Sequence, residues 1–419
     1  MKLTRYKLGE ILNVTRGASL SGEFYATEGE YIRLTCGNFD YQNNCFKENK
    51  SKDNLYYVGD FRSEFLMEEG DIITPLTEQA IGLLGSTAII PESGKYIQSQ
   101  DVAKIVCKED LLDKNFAFYL ISSALVKQQL SAAAQQTKIR HTSPDKIKDC
   151  TVWIPELSEQ KRIGKLLRSI DSKIELNRQI NQNLEAMAKQ LYDYWFVQFD
   201  FPNEEGKPYK SSGGKMVWNE KLKRNIPIEW NNGTLIDIAN ITMGQSPDGT
   251  SYNKIGEGVL FYQGSTDFGM RFPSVRQYTT APSRFAKKGD ILMSVRAPVG
   301  AVNIANNDCC IGRGLSALNS RIGSTTHLYY ILNDLRIAFD QRNAAGTTFG
   351  SITKEDLYSL PIVIPAKEVI SAFDKICSPM FDRQMLLGEE IDTLIKQRDE
   401  LLPLLMNGQV TLNSDLSAH

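Results

Sequence analysis

The amino-acid sequence predicts an α+β protein with two tandem copies of one mixed α/β domain, each followed by a long helix. Three observations carry this prediction: a repeat that spans most of the 419 residues, the same order of short strands in both copies, and a seven-residue spacing of apolar residues after each copy. We expect the two long helices to separate the domains, to pair as an antiparallel coiled coil and to give the chain pseudo-twofold symmetry.

The repeat is clearest at the start of each copy. Residues 8–40 align with residues 235–267 without a gap, and 12 of the 33 positions are identical, where about two are expected by chance. Further along, 69–73 aligns with 288–292 and 136–155 with 346–365, at offsets that fall from 227 to 210. The falling offset indicates a duplicated domain whose second copy has shorter loops.

Each copy has the same predicted order of elements. Short apolar runs bounded by turn residues predict strands at 31–34, 71–74, 85–91 and 102–106, and at 259–262, 290–293 and 301–304. A short helix follows at 116–132 and at 328–341, and a Thr-rich loop then leads into an apolar run that ends in Ile-Pro. The predicted boundaries are 1–155 and 231–365 for the domains, 156–200 and 366–410 for the long helices, and 201–230 for a linker.

The long helices are predicted from the spacing of apolar and amide residues over 158–197 and 367–406. Residues that repeat every seven positions as a and d form one stripe, and a stripe this long needs a partner, for which the duplicate helix is the obvious candidate. Forty residues of helix would measure about 60 Å. The alternative is a helix packed on its own domain. The predicted seam comprises Ile163, Leu167, Ile170, Ile174, Asn177, Asn181, Leu184, Leu191, Ile391, Leu394 and Leu401.

The segment 201–230 is interpreted as a solvated connection because Pro, Gly and Ser crowd there. The alternative is a basic strand that follows a phosphate backbone. Its basic residues are Lys207, Lys210, Lys215, Lys221, Lys223 and Arg224.

Charge and composition exclude several other classes of protein. The 48 Lys and Arg residues balance 50 Asp and Glu residues, so the net charge of −2 gives no global nucleic-acid signature, although local basic surfaces remain compatible with it. Seven cysteines without a C-x-x-C pair and three distant histidines predict no metal site and no disulfide framework. The N-terminus lacks the apolar run of a signal peptide, and no apolar run could span a membrane, so we expect a cytoplasmic location.

A search for catalytic motifs finds one weak match. Pro144-Asp145 followed by Glu159-x-Lys161 resembles a nuclease pattern whose carboxylates would hold Mg²⁺. However, Glu159 opens the predicted long helix, and the second copy lacks the pattern. The sequence contains no phosphate-binding loop, nucleophile elbow, H-E-x-x-H or G-x-G-x-x-G motif. We therefore predict no catalytic residues.

The loops carry side chains suited to nucleic acid. Arg can bond guanine through two hydrogen bonds, Asn and Gln can do so with adenine, and Lys, Ser and Thr suit phosphate. The two copies keep Gly, Tyr and Asp at scaffold positions and differ most in these loops, as two readers of different targets would. The candidate DNA-binding residues are Arg16, Arg33, Asn38, Gln79, Gln98, Gln100, Lys138 and Arg140 in the first copy, and Gln245, Gln263, Ser265, Arg296, Arg313, Thr347 and Thr348 in the second.

Several phrases of the sequence resemble the specificity (S) subunit of Type I restriction-modification systems. They are Val-Trp-Ile-Pro-Glu-Leu-Ser-Glu-Gln-Lys-Arg-Ile at 152–163, Ala-Met-Ala-Lys-Gln-Leu-Tyr-Asp-Tyr-Trp-Phe at 186–196, Pro-Tyr-Lys-Ser-Ser-Gly-Gly-Lys-Met at 208–216, Ile-Pro-Ile-Glu-Trp at 226–230 and Leu-Leu-Pro-Leu-Leu-Met-Asn-Gly-Gln-Val at 401–410. The resemblance covers nearly the whole chain. The second copy departs from it at 365–369, where Pro-Ala-Lys-Glu-Val replaces the Pro-x-x-x-Glu-Gln start of the helix.

The resemblance implies a non-catalytic protein in which two target-recognition domains each bind one half of a bipartite double-stranded DNA site. The helices would set the spacer between the half-sites and dock two methyltransferase (M) subunits, which in turn bring restriction and motor (R) subunits. S-adenosylmethionine, ATP and Mg²⁺ are expected on these partners, with no cofactor in this chain and no membrane partner. The alternatives are a self-sufficient nuclease or methyltransferase, and a coiled-coil adaptor between proteins without sequence-specific DNA binding.

Overall fold

The chain forms two compact units. The computed structural model describes residues 2–78, 80, 82–133, 140–344 and 350–412, with the backbone alone described at 338 and 340–344. The first unit comprises residues 1–173 and 394–419, and the second unit comprises residues 174–393. Each unit therefore joins one copy of the repeat to a stretch of both long helices, so its borders fall inside the helices rather than at their ends.

Short strands dominate both copies. Within the described residues, the strands of the first copy are β1 (Thr4–Lys7), β2 (Leu12–Arg16), β3 (Tyr25–Ala26), β4 (Tyr31–Arg33), β5 (Phe39–Asp40), β6 (Cys45–Phe46), β7 (Tyr56–Tyr57), β8 (Ile72–Pro75), β9 (Thr77–Glu78), β10 (Ala88–Ile89), β11 (Tyr96–Ile97), β12 (Val102–Cys107), β13 (Arg140–His141) and β14 (Thr151–Ile154). A hairpin of β15 (Met216–Asn219) and β16 (Arg224–Pro227) follows the first long helix. The second copy contains β17 (Asn231–Thr234), β18 (Ala239–Met243), β19 (Tyr252–Asn253), β20 (Val259–Tyr262), β21 (Tyr278–Thr279), β22 (Phe285–Ala286), β23 (Ile291–Ser294), β24 (Val302–Ile304), β25 (Cys309–Ile311), β26 (Leu315–Ser320) and β27 (Pro361–Ile364).

The two copies share one sheet topology, which confirms the predicted duplication. One sheet has the order β10-β8-β12-β2 in the first copy and the matching order β24-β23-β26-β18 in the second. Another has the order β11-β4-β7-β3, matched by β25-β20-β21-β19 with β22 added at the edge. The first strand of each copy pairs with the strand before its long helix, β1 with β14 and β17 with β27. The inner strands β8 and β23 are buried along their whole length, as their apolar sequences require.

The helices are α1 (Leu8–Ile11), α2 (Lys114–Ile121), α3 (Ala124–Ala133), α4 (Pro144–Lys148), α5 (Leu157–Tyr192), α6 (Leu235–Ile238), α7 (Thr325–Ala344), α8 (Lys354–Tyr358) and α9 (Lys367–Met406). The single helix predicted at 116–132 is corrected to α2 and α3. The break falls at Ser122, whose hydroxyl donates to the Phe118 carbonyl at 3.1 Å, because a serine side chain competes for backbone hydrogen bonds. In the second copy the same region is the single helix α7.

The long helices occur where the spacing placed them. A π-helical turn at Asp193–Val197 ends the first, and α9 runs through Pro379 and Gly388 without a break. In the second unit, Asn177 Nδ2 donates to Glu390 Oε2 at 2.9 Å, and Gln384 Nε2 donates to the Asn181 carbonyl at 3.2 Å. The partner number falls as the residue number rises, so the helices pair antiparallel.

Side-chain burial along both helices follows the seven-residue stripe. The amides of the stripe, Asn177, Asn181 and Gln384, are almost fully buried. Of the predicted seam, Ile163, Leu167, Ile174, Asn177, Asn181 and Ile391 are buried, and Ile170, Leu184, Leu191, Leu394 and Leu401 are half-buried.

The segment 201–230 is more ordered than a solvated connection, which corrects that interpretation. Its lysines are exposed and Arg224 is half-buried, but Phe201, Ile226 and Trp230 belong to the core of the second unit. The Phe201 ring stacks on Trp230 at 4.9 Å and on Tyr209 at 4.7 Å. Three aromatic rings are too much apolar area to leave in water, so the segment packs instead of tethering.

Candidate nucleic-acid interface

In the first unit, candidate side chains meet where β2 ends and β12 begins. Arg16 is exposed, and its Nε donates to the Gln100 carbonyl at 2.8 Å. The amide of Ala18 donates to the Gln98 carbonyl at 3.0 Å. Gly17 lies in this contact because a Cβ there would come within 2.2 Å of the same carbonyl oxygen. The close backbone approach therefore holds Arg16 beside the exposed Gln100.

The pairing of β9 with β13 adds Arg140 to this place. Arg140 is exposed, lies 3.6 Å from Glu78 Oε2 and donates to Ser131 Oγ at 3.0 Å. The Thr77 hydroxyl lies 3.4 Å from both Asp101 Oδ1 and His141 Nδ1. Since Asp101 follows Gln100, these contacts bring both strand ends together. We call the group Arg16, Thr77, Gln100, Arg140 and His141 the first edge.

Three candidates of the first copy are part of the scaffold, which corrects their prediction as DNA contacts. Gln98 is 1% exposed, and its Nε2 donates to the carbonyls of Thr15 and Val102. Asn38 is buried, and its Oδ1 accepts the amide of Thr35 at 2.9 Å. The buried Arg33 guanidinium lies 3.8 Å from the Tyr25 ring centroid, and its Nη2 donates to the Asn54 carbonyl. All three side chains are turned to the protein.

In the second unit, four exposed candidates lie on neighbouring turns. The amide of Gln245 donates to the Ile311 carbonyl at 3.0 Å, and the amide of Arg313 donates to Ser246 Oγ at 3.3 Å. Gly312 N donates to the Tyr262 carbonyl, which places Gln263 next to this turn. Val295 N donates to the Gly314 carbonyl, which does the same for Arg296. We call the group Gln245, Gln263, Arg296 and Arg313 the second edge.

Ser265 lies in the turn that positions Gln263 of the second edge. It begins a 3-10 turn at Ser265–Asp267 and is half-buried. Asp267 Oδ2 at the end of this turn accepts the amide of Gln263 at 2.8 Å, which fixes the backbone that carries the Gln263 side chain.

The two edges occupy equivalent positions in the two copies. Ala103 pairs with Arg16 in the first, and Ser316 pairs with Met243 in the second. Gln100 precedes Ala103 by the same interval as Arg313 precedes Ser316, so Gln100 and Arg313 occupy corresponding positions. The amide of Thr142 donates to Leu76 O and that of Ile352 to Val295 O, so Thr77 and Arg296 correspond as well. The same backbone frame thus presents different side chains.

The predictions for Gln79, Lys138, Thr347 and Thr348 lie outside the described residues.

Three residues were missed by the sequence reasoning: Thr77 and His141 in the first edge, and Arg284 beside the second edge. His141 lies on β13 beside Arg140. Arg284 is exposed, its carbonyl accepts the amide of Ile311, and the neighbouring Ser283 donates to the Gln245 carbonyl at 2.5 Å. In the first copy Phe65 makes the equivalent contact, since its carbonyl accepts the amide of Gln98. The signal that could have found Arg284 is an arginine in place of an aromatic residue at matching positions.

Comparison with known proteins decides the family. The model of the Type I restriction modification DNA specificity domain matches residues 2–186 and again residues 227–383. The chain belongs to this family. Each match begins at the start of one copy and extends into the long helix that follows it, so the family model covers both duplicated domains.

Relatives with the same family name cover most of the chain. A candidate specificity subunit of the MjaX type I restriction enzyme from Methanocaldococcus jannaschii is 29% identical over 86% of this chain and 84% of its own. The specificity subunit of the HindI type I restriction enzyme from Haemophilus influenzae is 23% identical over 76% of this chain and 81% of its own. The crystal structure of a Type I restriction-modification S subunit from M. genitalium aligns with a TM-score of 0.61 at 15% identity, covering 97% of this chain and 96% of that one, which shows a shared fold.

The two parts of the weak nuclease pattern lie on separate helices, Asp145 on α4 and Glu159 on α5. Asp145 pairs with Lys148 at 2.9 Å on α4, and the buried Glu159 pairs with Arg162 on α5, so each carboxylate is bound to a cation on its own helix. Among the residues that the structure describes, no group of three or more His, Cys, Asp or Glu side chains could hold a metal ion. In the same part of the chain, none of the helices combines the length and the apolar character needed to cross a bilayer.

Proposed function

We propose that this chain reads a bipartite double-stranded DNA site, with one half-site bound by each recognition domain. One observation carries the proposal: two copies with the same strand order and the same backbone contacts present different side chains at equivalent places. Gln100 corresponds to Arg313, and Thr77 to Arg296. A shared frame with changed side chains is what two readers of two different half-sites need.

The long helices are proposed to set the spacer between the half-sites and to dock two methyltransferase subunits, through which restriction subunits join. The antiparallel seam supports a fixed separation because its buried amides specify one register. Large apolar side chains that point away from the seam support docking, since exposed apolar surface on a helix favours a protein partner. They are Leu176 and Met187 on α5 and Ile376 and Leu386 on α9.

The chain itself is proposed to be non-catalytic. S-adenosylmethionine would be bound by the methyltransferase subunits, and ATP and Mg²⁺ by the restriction subunits. Methyl transfer by the assembled complex, together with its absence in each subunit alone, would support this assignment.

A domain exchange tests the proposal. Residues 1–155, which contain both β1 and its partner β14, are replaced by the corresponding segment of another family member, the hybrid is expressed with its methyltransferase subunit, and methylated positions are mapped across a genome. We expect one half of the methylated site to change while the other half and the spacer stay the same. The matched control replaces 231–365 and should change the other half alone. A hybrid that altered both halves would contradict the assignment of one reader per half-site.

DNA binding separates this proposal from the protein adaptor. The complex should retain labelled duplex DNA that contains the mapped site on a filter. Unlabelled duplex with the same site should compete for this binding better than unlabelled random duplex does. Equal competition by both duplexes would favour the adaptor.

A further inference from the structure

The second unit contains a cavity that the proposed DNA reading does not use. It has a volume of about 590 Å³, within the range of sites for small organic ligands. The cavity is bordered by α5, α7, α9 and the loop that carries Met270 and Arg271. All of its lining residues belong to the second unit.

Arg271 is the central feature of this cavity. Its side chain is 7% exposed, and its guanidinium lies 4.6 Å from the ring centroid of Phe381 and 5.6 Å from that of Tyr329. Nη1 lies 3.4 Å from Glu185 Oε2, whereas Nε and Nη2 are buried and have no hydrogen-bond acceptor. A buried guanidinium N–H without an acceptor loses its hydrogen bond to water and gains none in the protein, which costs free energy. Arg271, which lines the cavity, therefore has two buried N–H donors that no protein atom satisfies.

Another buried arginine of the chain shows what a satisfied guanidinium looks like. Arg398 in the first unit donates from Nε to Asp399 at 2.9 Å and from Nη1 to Asp171 at 2.9 Å, and its Nη2 lies 2.9 Å from Asp399. Each of its three nitrogens thus faces a carboxylate oxygen. Arg271 has such a partner for one nitrogen only, and the two that remain form the side of the guanidinium that fits a planar carboxylate with two parallel hydrogen bonds.

Two side-chain amides lie beside Arg271: that of Gln384 is hydrogen-bonded, and that of Asn181 has no partner. Gln384 Nε2 donates to the Asn181 carbonyl at 3.2 Å and to Glu185 Oε2 at 3.0 Å. The Asn181 side chain is 4% exposed and lines the cavity, but neither its Oδ1 nor its Nδ2 has a hydrogen-bond partner. This lining residue thus carries one donor and one acceptor that no protein atom satisfies.

Charge and wall chemistry narrow the class of ligand. Lys189, Arg271 and Arg336 are the cationic side chains that line the cavity, and Glu185 is the carboxylate that lines it. Lys189 is already paired with Asp334 at 3.2 Å, and Glu185 adjoins Arg271, so a doubly charged anion would meet repulsion. Ala186, Met270 and Ile337 supply an apolar wall, and Met270 and Ile337 are exposed.

We propose that this cavity binds a small monocarboxylate with an apolar body, held side-on by Nε and Nη2 of Arg271. The apolar body lies against Met270 and Ile337, and the Asn181 amide bonds a polar group of the ligand. A bound carboxylate would join the loop of the second recognition domain to α5 and α9 within the second unit.

Benzoate is the probe, because it combines a planar carboxylate with an apolar ring. Calorimetric titration of the full-length wild type should show benzoate binding, with at least about tenfold weaker binding of benzamide, which has the same shape without the charge, and of inorganic phosphate. Arg271→Lys keeps the charge and loses the fork, so it should weaken benzoate binding by about tenfold or more, as should Arg271→Gln. Arg321→Gln, outside the cavity, should bind benzoate like the wild type.

Three results would overturn the proposal: no benzoate binding to the folded wild type, equal binding of benzamide, or unchanged affinity in Arg271→Lys. Should the Arg271 variants fail to fold, wild-type crystals soaked in 4-bromobenzoate decide the matter. Anomalous scattering should then place the bromine near Met270 and Ile337 with the carboxylate on Arg271. Crystals in which water alone contacts Nε and Nη2 would contradict it.

Discussion

Under the proposed function, side chains at matching backbone positions decide which base each edge can bind. The amide of Gln100 donates one hydrogen bond and accepts another, the pattern that adenine presents in the major groove, whereas the guanidinium of Arg313 donates two, as guanine requires. Both residues precede β12 or β26 at the same interval, so the backbone offers them alike. Under the proposed function, a difference in base preference between the two edges would therefore come from the side chain.

We expect Arg313→Ala and Arg296→Ala to weaken binding of the cognate site by about 1–3 kcal/mol more than binding of random duplex, if each contacts a base. The control is Arg321→Ala at the opposite end of β26, where the guanidinium donates to Asn240 Oδ1 and to the Ile236 carbonyl. Affinities for both duplexes are measured at one salt concentration. Equal losses on both duplexes would assign the arginine to phosphate, and no loss would remove it from the interface.

We expect His327 to make the stability of the second unit depend on pH. Burial lowers the pKa of His327 to about 3, and its ring lies 4.6 Å from that of Phe196. The unfolded chain, with a pKa near 6.5, binds the proton more readily, so stability is full above about pH 6.5 and falls by up to about 1.4 kcal/mol per pH unit below it.

Urea unfolding at pH 7 and pH 5 measures this effect. Wild type should lose stability between the two values, and His327→Gln should lose less. The exposed His141 serves as the control, since His141→Gln should keep the wild-type difference. An undiminished difference in His327→Gln would show that other groups cause it.

At the scale of residues, the sequence could indicate polar loop side chains but not the direction in which they point. Arg16, Gln100 and Arg313 are exposed as an interface requires, whereas Arg33 and Gln98, of the same residue types, are buried. The Gln98 side chain donates to two backbone carbonyls that come together only when β2 and β12 pair. Such a contact depends on chain segments more than 80 positions apart, and no local pattern contains it.

Within the first unit, the long helices are joined by a polar network. Arg398 on α9 donates to Asp171 on α5 at 2.9 Å, and the Tyr119 hydroxyl donates to the other oxygen of Asp171 at 2.5 Å. The side chains of Arg398 and Asp171 are 10% and 18% exposed. Burial raises the pKa of Tyr119, as does the adjacent carboxylate, so the phenol stays a donor.

We expect Arg398→Met to lower the free energy of unfolding by about 3 kcal/mol, because it leaves the Asp171 carboxylate without its cation. The double variant Arg398→Met with Asp171→Leu should recover part of the loss, since no buried charge then remains unpaired. The exposed pair Lys7–Asp149 is the control, and Lys7→Met should cost about 0.5 kcal/mol or less. Equal losses in the single and double variants would contradict a charge-based role.

The elements differ in how well their sequence predicts them. The bounds of α9 match the prediction because seven-residue spacing is a strong local signal that outweighs Pro379 and Gly388. The break between α2 and α3 was missed because it depends on the Ser122 hydroxyl. The hairpin of β15 and β16 was missed because Gly, Pro and Lys dominate the segment, and the aromatic residues that anchor it are few.

At the scale of the whole molecule, duplication was readable from the sequence while strand pairing was not. Twelve identities over 33 positions identified the repeat. The pairing of β1 with β14, by contrast, joins residues about 147 positions apart, such as Arg5 and Trp153, and no local sequence pattern reports a contact over that distance. That pairing closes each copy on itself, because its first and last strands are partners. A domain exchange must therefore keep both.

The helices connect the two units, and if they set the spacer, their length should decide it. Four residues inserted after Lys173 and four after Thr393 lengthen both helices where the two units divide and keep the facing residues of each unit in register. The insertion adds about 6 Å and about 40° of helical rotation, while one base pair adds about 3.4 Å and about 35°. We therefore expect the unread spacer to grow by one or two base pairs, with both half-sites unchanged in a methylation map.

The matched control inserts four residues in the exposed turn at Glu204–Glu205, which should leave the spacer as it is. Because four residues interrupt the seven-residue seam, circular dichroism must first show that the helices still form. A folded, active variant that methylates sites with the original spacer would show that the helices do not set the distance.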